Sequence, residues 1–302
     1  MTMNEEFKKE LEVRTQEINA LLEQYLPEEK GYQKTIFEAV NYSVRAGGKR
    51  LRPLFMQEMC RLFTGEVLGM VKPFMAAIEM IHTSSLVHDD LPCMDDDMMR
   101  RGKASTWAEF GEDMGVLAGD ALMMYAVETA AKAFKEANEP DEFARVGQAM
   151  GILAGKAGMY GMIGGQTVDV ELAGGPIPKD KLNFIYKLKT GALLEASMLI
   201  GAVLGGAADE DCKIVESLAS KIGMAFQIQD DILDVTGNEN VTGKPSGSDE
   251  KNQKTTYVTL EGLEKAKAEV ERLSKEAIEE LDKLGYNEFL ENLIKALVGR
   301  QK

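Results

Sequence analysis

The sequence predicts one large all-α domain, and three observations support this prediction. Apolar residues recur at steps of three, four and seven along most of the 302 residues, which is the spacing of one face of a helix. No run of alternating β-branched residues would form a convincing strand. No linker, low-complexity tract or fixed-period repeat divides the chain. We therefore expect a single all-helical domain over residues 1–302.

The predicted helices follow one another along the chain. The first has an apolar face formed by Phe7, Leu11, Ile18, Leu21, Leu22 and Tyr25, and it ends before Pro27. The others cover residues 31–46, 72–90, 114–138, 141–173, 180–206, 209–236 and 250–284. Loops are expected at Pro27, Pro140, Pro176, Pro178 and Pro245, and first helical turns at Pro53 and Pro73. Pro92 interrupts a segment that would otherwise continue as a helix.

Two segments are rich in small residues. Residues 191–208 are the most apolar stretch, but Glu195 and several glycines indicate a buried helix rather than a membrane span. Residues 147–175 are dense in glycine, which is costly inside helices and therefore needs a packing or binding reason. Both tight helix packing and the wall of a pocket remain open for this segment.

The composition excludes several classes of protein. With 35 basic and 50 acidic residues the net charge is −15, opposite to that of a general nucleic-acid binder. Two histidines cannot form a zinc site built on several imidazoles. The three cysteines lie far apart, which favours a reduced compartment, and residues 1–9 lack the apolar core of a signal peptide. We expect a cytoplasmic protein.

Aspartates are concentrated in two clusters on otherwise apolar segments. Residues 89–97 contain five aspartates, and residues 230–234 contain three. Asp230 and Asp234 are four apart, hence on one helix face and separated by a rise of ~6 Å. Asp89 and Asp95 would diverge on a straight helix, but the break at Pro92 can return Asp95 to Asp89. Because Mg²⁺ prefers carboxylate oxygens together with water and phosphate, the clusters predict two halves of a magnesium–phosphate site.

Cations accompany the aspartates. The segment 47–53 places Lys49, Arg50 and Arg52 after a glycine pair at the start of a helix, where an anion is readily held. Arg100 and Arg101 follow the first aspartate cluster directly. Lys244 and Lys254 follow the second cluster. This arrangement indicates a small polyanionic ligand bound together with metal.

These residues resemble the trans-prenyl diphosphate synthases of the short-chain bacterial type, the farnesyl and geranylgeranyl diphosphate synthases. The matching motifs follow the family's order: GGKRLRP at 47–53, DDLPCMDDDMMRRG at 89–102, GGQTVD at 164–169, KTG at 189–191, FQIQDDILD at 226–234 and GK at 243–244. The resemblance implies a single large orthogonal helical bundle of the isoprenoid synthase type, with a central active-site cavity, and a homodimer. It also implies Mg²⁺-dependent head-to-tail condensation of isopentenyl diphosphate with dimethylallyl, geranyl or farnesyl diphosphate.

The resemblance implies roles for individual residues. Three magnesium ions would be held by Asp89, Asp95, Asp230 and Asp234. The diphosphate of isopentenyl diphosphate would be bound by Lys49, Arg52, His82 and Arg101. The allylic diphosphate would be bound by Arg100, Lys189, Thr190, Gln227, Lys244 and Lys254. Thr190 and Gln227, with the backbone carbonyl of Lys189, would also face the developing carbocation. The family's C-terminal basic tail closes over the site, which makes Arg300 and Lys302 candidates.

Other polar residues near these motifs have local interpretations. His82 lies on an apolar helix, and its spacing from the aspartates favours a ligand over a buried structural histidine. His88 is interpreted as structural. Gln166 and Asp169 either line the site or cap helices, and we favour the first.

Product length depends on the positions before Asp89. Ser84 and Ser85 stand where bacterial farnesyl diphosphate synthases of this type usually carry an aromatic residue at the first position, which blocks the growing chain. Ser84 therefore favours a deeper pocket and a C20 product. The alternative is that Met80 or Met114 forms the floor and the product stays at C15.

Two other functions stay open. A class I terpene cyclase shares the aspartate-rich helical design, but it does not need the second cation cluster of Lys49, Arg52 and Arg101. A non-catalytic helical partner subunit would be free to lose aspartates, and none is missing.

Overall fold

The computed structural model describes residues 5–236 and 255–299. Its first half contains α1 (Glu5–Tyr25), α2 (Lys34–Arg45), α3 (Leu51–Thr64), α4 (Val71–Asp89), β1 (Met99–Arg100), β2 (Lys103–Ala104), α5 (Thr106–Phe110) and α6 (Glu112–Ala131). A 3₁₀ turn (Lys132–Lys135) follows, then α7 (Pro140–Ala157), α8 (Met162–Glu171) and α9 (Lys179–Ile185). A π-helix (Tyr186–Gly191) continues into α10 (Ala192–Leu204) and is followed by α11 (Asp209–Thr236), α12 (Tyr257–Glu261), α13 (Leu263–Leu284) and α14 (Glu288–Val298).

The predicted all-α class is confirmed. In the described residues the strands are limited to one antiparallel hairpin of two residues per strand. That hairpin was not predicted, because two residues are too few to show alternation. No helix in the described ranges 5–236 and 255–299 is long and apolar enough to cross a membrane.

Helix α10 lies at the centre of the bundle. All of its residues are buried, as expected for a helix that is apolar all round, and it packs against α3, α7 and α11. Its one acidic residue, Glu195, accepts a hydrogen bond from the Lys156 ammonium at 2.6 Å. Around this centre α4 packs on α6, and α11 packs on α13. The buried helix predicted for 191–208 is therefore present.

Several predicted boundaries were wrong. The single helix predicted over 141–173 is two helices, because the chain turns back so sharply that a Cβ on Gly161 would lie 1.9 Å from the Lys156 carbonyl oxygen. Pro140 is the first residue of α7 instead of a loop residue, a position where its missing N–H costs nothing. The π-helix interrupts the helix predicted over 180–206, and α14 was not predicted.

Candidate active site

A cavity of about 1580 Å³ lies between the start of α3, the C-terminal half of α4, α6, α8, the π-helix and α11. It is lined by eleven of the predicted site residues: Lys49, Arg52, His82, Ser84, Ser85, Asp89, Arg101, Lys189, Thr190, Gln227 and Asp230. Gln166 also lines it, as favoured from the sequence, whereas Asp169 does not line it and instead accepts a hydrogen bond from the Lys189 ammonium. Three other predicted residues, Asp95, Arg100 and Asp234, are described by the structure but do not line the cavity wall. Lys244, Lys254, Arg300 and Lys302 lie outside the described residues.

The first aspartate cluster forms a turn at the end of α4. The helix ends at Asp89, and the Asp95 N–H donates a hydrogen bond back to the Asp89 carbonyl at 2.9 Å. The expectation that the chain returns Asp95 to Asp89 after Pro92 is therefore confirmed. Burial raises the pKa of the Asp89 carboxyl; Lys189 opposes this effect and the charge of Asp95 adds to it. The Gln166 amide donates to this carboxylate at 2.8 Å. Asp89 is thus a desolvated carboxylate that gains from a nearby cation.

Arg100 is held by the second aspartate of the same cluster. Its Nε donates to the buried Asp90 carboxylate at 2.9 Å, and one terminal amino group binds the same oxygen. Both residues line a small pocket beside the main cavity, which explains why Arg100 is absent from the main wall. Asp90 therefore anchors the segment that follows the metal-ligand candidates.

The hairpin turn joins two basic segments that lie some fifty residues apart in the sequence. Arg101 and Gly102 both have positive φ, as the tight primed turn of a two-residue hairpin requires. The Arg101 guanidinium reaches the Gly47 carbonyl and covers Gly48. A Cβ on Gly48 would lie 2.9 Å from the Arg101 Cζ atom, so this glycine makes room for the guanidinium. The predicted cations at 49–52 and 101 thus form one cluster.

This cation cluster has the properties of an anion site. Burial lowers the pKa of Arg52 to about 10, and Glu79 opposes this effect. The buried Arg52 Nε atom has no hydrogen-bond acceptor among the residues that the structure describes. Burial, with the charges of Arg52 and Arg101, holds the pKa of His82 well below its usual range, so its imidazole is neutral at neutral pH. A buried donor without an acceptor and several desolvated cations are best satisfied by a bound anion.

The second aspartate cluster faces two ways. Gln227 and Asp230 line the cavity from α11. Asp231 is buried on the other side, where it accepts hydrogen bonds from the Tyr186 hydroxyl at 2.6 Å and the Tyr257 N–H at 2.7 Å. Asp231 therefore joins α11 to the π-helix and to the start of α12. The spacing of Asp230 and Asp234 in the sequence left Asp231 off their shared helix face, but it did not indicate the partners of Asp231.

The π-helix presents Lys189 and Thr190 to the cavity. The Lys189 ammonium donates to Asp169 on α8 at 2.5 Å, and the Thr190 hydroxyl donates to the Gln227 amide oxygen at 3.0 Å. Close backbone contacts hold this segment in place. A Cβ on Gly165 would lie 2.2 Å from the Lys189 backbone nitrogen, and a Cβ on Gly223 would lie 2.9 Å from the Gly191 Cα atom. Part of the glycine density between 147 and 175 therefore serves the wall of the cavity.

The donor set suits magnesium. Within residues 5–236 and 255–299, no group of three histidine, cysteine, aspartate or glutamate side chains is close enough to hold a metal ion. Each aspartate cluster could supply only part of a coordination sphere, which the oxygens of water and a bound diphosphate would complete. Mg²⁺ is commonly bound in this way, by one or two carboxylates together with phosphate and water.

Sequence reasoning missed one buried ion pair beside the cation cluster. Glu79 lies on α4, one turn before His82, and pairs with Arg50. The available signal was Glu79 itself, a single acidic residue within an apolar run.

The chain is similar to known proteins over most of its length. The family model for polyprenyl synthetase matches residues 33–293. The large subunit 1 of a heterodimeric geranylgeranyl pyrophosphate synthase from Arabidopsis thaliana is 44% identical over 255 residues, which cover 83% of this chain and 67% of the relative. A dimethylallyltranstransferase from Fischerella ambigua is 42% identical over 269 residues, covering 89% and 76%.

Solved structures show the same similarity. An FPP/GFPP synthase from Zymomonas mobilis superposes with a TM-score of 0.84 at 32% identity, covering 97% of this chain and 99% of that one. A geranyltransferase from Helicobacter pylori, complexed with magnesium and isoprenyl diphosphate, superposes with a TM-score of 0.79 at 29% identity, covering 99% and 98%.

Proposed function

Because the chain belongs to the polyprenyl synthetase family, we propose that it is a Mg²⁺-dependent short-chain prenyltransferase that condenses isopentenyl diphosphate with allylic diphosphates. One observation carries the proposal: a single cavity is lined by an aspartate from each cluster and, separately, by a cluster of cations. Two diphosphates thus have two chemically different places to bind, one through metal and one through direct hydrogen bonds.

The cation cluster is proposed to hold isopentenyl diphosphate. Lys49, Arg52 and Arg101 supply positive charge, and the neutral His82 imidazole donates one N–H. Three of these side chains come from the start of α3 and the hairpin turn, which Arg101 links at Gly47. Isopentenyl diphosphate is held here while its alkene faces the allylic carbon.

The two aspartate clusters are proposed to hold the allylic diphosphate through magnesium. Asp89, Asp95, Asp230 and Asp234 would hold three ions. The related Helicobacter pylori protein is complexed with magnesium and isoprenyl diphosphate, which supports Mg²⁺ as the metal. When bound, the metal supplies charge neutralisation for the departing diphosphate. Titration with Mn²⁺ followed by electron paramagnetic resonance counts the ions. Three ions per site with a bound bisphosphonate is expected, and one ion would contradict this number.

The chain's own groups direct the bond changes. The carbon–oxygen bond of the allylic diphosphate breaks, and the alkene of isopentenyl diphosphate attacks the resulting allylic cation to form a carbon–carbon bond. A proton then leaves to the departing diphosphate, so no histidine base is required. Lys189 with its backbone carbonyl, Thr190 and Gln227 are proposed to face this cation. Arg100 is proposed to complete the allylic diphosphate site, with Lys244 and Lys254 from outside the described residues.

Release of diphosphate tests the reaction class. We expect diphosphate release to require Mg²⁺, isopentenyl diphosphate and an allylic diphosphate together. Release from the allylic substrate alone, with a cyclic hydrocarbon as product, would identify a terpene cyclase. The absence of release under all conditions would identify a non-catalytic partner subunit.

The product is proposed to be C20 geranylgeranyl diphosphate. Ser84 and Ser85 line the cavity, and their hydroxyls donate to the Ile81 and His82 carbonyls of their own helix. Both side chains are therefore small and internally satisfied, and they leave room for a longer chain. The alternative floor is not supported. Met80 is fully buried in the core and Met114 packs against it; neither is among the residues that line the cavity, whereas Met123 and Met124 are.

Substitution of Ser84 tests this assignment. Wild-type protein given farnesyl diphosphate and isopentenyl diphosphate should form C20 product, and Ser84→Tyr should stop at C15 because the phenol fills the pocket. Ser84→Ala is the matched control and should keep the wild-type product. Failure of the wild type to extend farnesyl diphosphate would refute the C20 assignment.

The protein is proposed to form a homodimer through the outer face of α6. Leu117 is 53% exposed and Val127 41% exposed on this helix, and exposed apolar residues continue on the neighbouring elements. They are Phe143, Met159 and Tyr160. Surface of this kind on a helical protein is typical of an interface.

Light scattering tests the dimer. A mass of twice 33.2 kDa is expected for the wild type, and Leu117→Glu should reduce it to the monomer. Tyr286→Glu is the control, because Tyr286 is also exposed but lies after α13. A monomeric wild type would contradict the proposal.

A further inference from the structure

Arg50 is buried among three helices directly beside the cation cluster. It is 4% exposed, and each of its guanidinium nitrogens donates to a different acceptor. Its Nε atom binds the Asn19 side-chain oxygen of α1 at 2.9 Å, and one terminal amino group binds the Val44 carbonyl of α2 at 2.7 Å. The other binds the Glu79 carboxylate of α4 at 2.7 Å. Because every guanidinium nitrogen is hydrogen-bonded to protein, this arginine connects α1, α2 and α4 to the start of α3.

The backbone at Arg50 adopts an unfavourable conformation that these hydrogen bonds stabilise. Its φ is 49°, in the left-handed region, which is unfavourable for a residue with a long side chain. The kink falls where α3 begins, between Lys49 and Arg52, both of which line the cavity. The direction in which these two cations point therefore depends on Arg50 holding its conformation.

Glu79 is the buried counter-charge of the cluster. It is 2% exposed. Burial lowers the pKa of both Arg52 and Arg101, and the charge of Glu79 opposes this lowering. Arg50 and Arg101 repel one another across the same space. One buried carboxylate thus offsets part of the repulsion among four cations and leaves a net positive charge for a ligand.

We propose that Arg50 and Glu79 are positioning residues for isopentenyl diphosphate, which set the placement of Lys49, Arg52 and Arg101. The proposal rests on the proposed function, in which this cluster binds that substrate. The proposed allylic site is formed by the end of α4, ten residues after Glu79, by Arg100, and by the π-helix and α11, so its affinity should depend far less on this pair.

Steady-state kinetics of Glu79→Gln and Arg50→Met test the proposal. Each should raise KM for isopentenyl diphosphate by at least about tenfold while KM for geranyl diphosphate changes less than about twofold. Arg50→Lys keeps the charge facing Glu79 and should recover part of the affinity. Unchanged KM for isopentenyl diphosphate, or an equal rise for both substrates, would overturn the proposal.

A matched control separates positioning from stability. Glu58 is also a buried carboxylate that pairs with arginines, Arg14 and Arg61, but it lies away from the cavity. Glu58→Gln should lower the melting temperature without a change in either KM. An altered KM for isopentenyl diphosphate in this variant would overturn the specific role of Glu79.

Two further variants cover the case of misfolding. The double variant Arg50→Met with Glu79→Leu removes both charges and should fold, because a buried ion pair can be replaced by apolar residues. Its KM for isopentenyl diphosphate should stay raised, and a wild-type value would overturn the proposal. Asn19→Ala removes one acceptor and should raise that KM about threefold; no rise would count against the proposal. If the wild type itself fails to use isopentenyl diphosphate, the proposed function fails first, and this proposal falls with it.

Discussion

Gly165 lies where α8 crosses the π-helix, and its replacement by alanine is the sharpest perturbation of the site geometry. A Cβ atom at this position would lie 2.2 Å from the Lys189 nitrogen and 2.8 Å from the Leu188 carbonyl carbon. Both are backbone atoms, which cannot move aside as the end of a flexible side chain can. Relief of the contact requires α8 and the π-helix to separate by about 1 Å.

The separation should affect both stability and catalysis. Overpacking of this kind costs about 1–3 kcal/mol, and the gain in helix propensity from alanine offsets up to about 1 kcal/mol. We expect the free energy of unfolding to fall by about 1–2 kcal/mol. Because α8 carries Gln166 and Asp169, which hold Asp89 and Lys189, a shift of about 1 Å should lower kcat/KM about a hundredfold.

Denaturant unfolding and the rate of isopentenyl diphosphate incorporation measure the two effects. Gly175→Ala is the control, because Gly175 lies just beyond α8, where an added Cβ atom would meet no other atom within 4 Å and φ is outside the left-handed region. It should change the free energy of unfolding by less than about 0.5 kcal/mol. Wild-type stability and wild-type kcat/KM in Gly165→Ala would show that the close contact between α8 and the π-helix does not position the site.

Further predictions concern charge and pH. His82 has a folded pKa well below 6.5, so on acidification the unfolded chain binds a proton that the folded protein does not, and stability is lost as the pH falls below about 6.5. In His82→Gln this component should be missing from the pH dependence of the free energy of unfolding, and an unchanged dependence would contradict the burial of a neutral imidazole. Asp230→Asn should lower kcat at least about a hundredfold with little loss of stability. Asp231→Asn should mainly lower the free energy of unfolding, by about 1.5–3 kcal/mol, because it removes the charge that Tyr186 and Tyr257 contact. Equal effects of these two neighbours on kcat and on unfolding would show that the assignment of the two sides of α11 is wrong. Tyr186→Phe should lose about 1.5–3 kcal/mol of stability, which thermal unfolding measures, and wild-type stability would contradict its bond to Asp231.

The fold was predictable from the sequence where helical periodicity alone decides the structure. Prediction failed where tertiary contacts decide it. The turn at residues 158–161 and the π-helix at Tyr186–Gly191 interrupt segments whose apolar spacing continues unbroken, because the interruption serves packing between helices rather than local preference. The hairpin at residues 99–104 was missed because its strands are too short to show a pattern.

The candidate site was predictable in its residue types and not in its pairings. The break at Pro92 indicated correctly that Asp95 returns to Asp89, since it depends on local backbone geometry. The ion pair of Arg100 with Asp90 and the burial of Asp231 were not predictable. Both depend on which segments pack against these residues in the folded protein, and one sequence does not contain that information. The link from Arg101 to Gly47 spans distant segments and was equally hidden.

Product analysis of the wild-type enzyme tests most directly whether the protein is a Mg²⁺-dependent prenyltransferase that forms a C20 product. Dimethylallyl diphosphate and labelled isopentenyl diphosphate are incubated with the protein and Mg²⁺, and the chain length of the labelled product is measured over time. The account predicts linear C10 and C15 diphosphates as transient species, C20 as the end product, and no product when the metal is chelated. Isopentenyl diphosphate that stays unincorporated, or an allylic substrate that cyclises without it, would contradict the account.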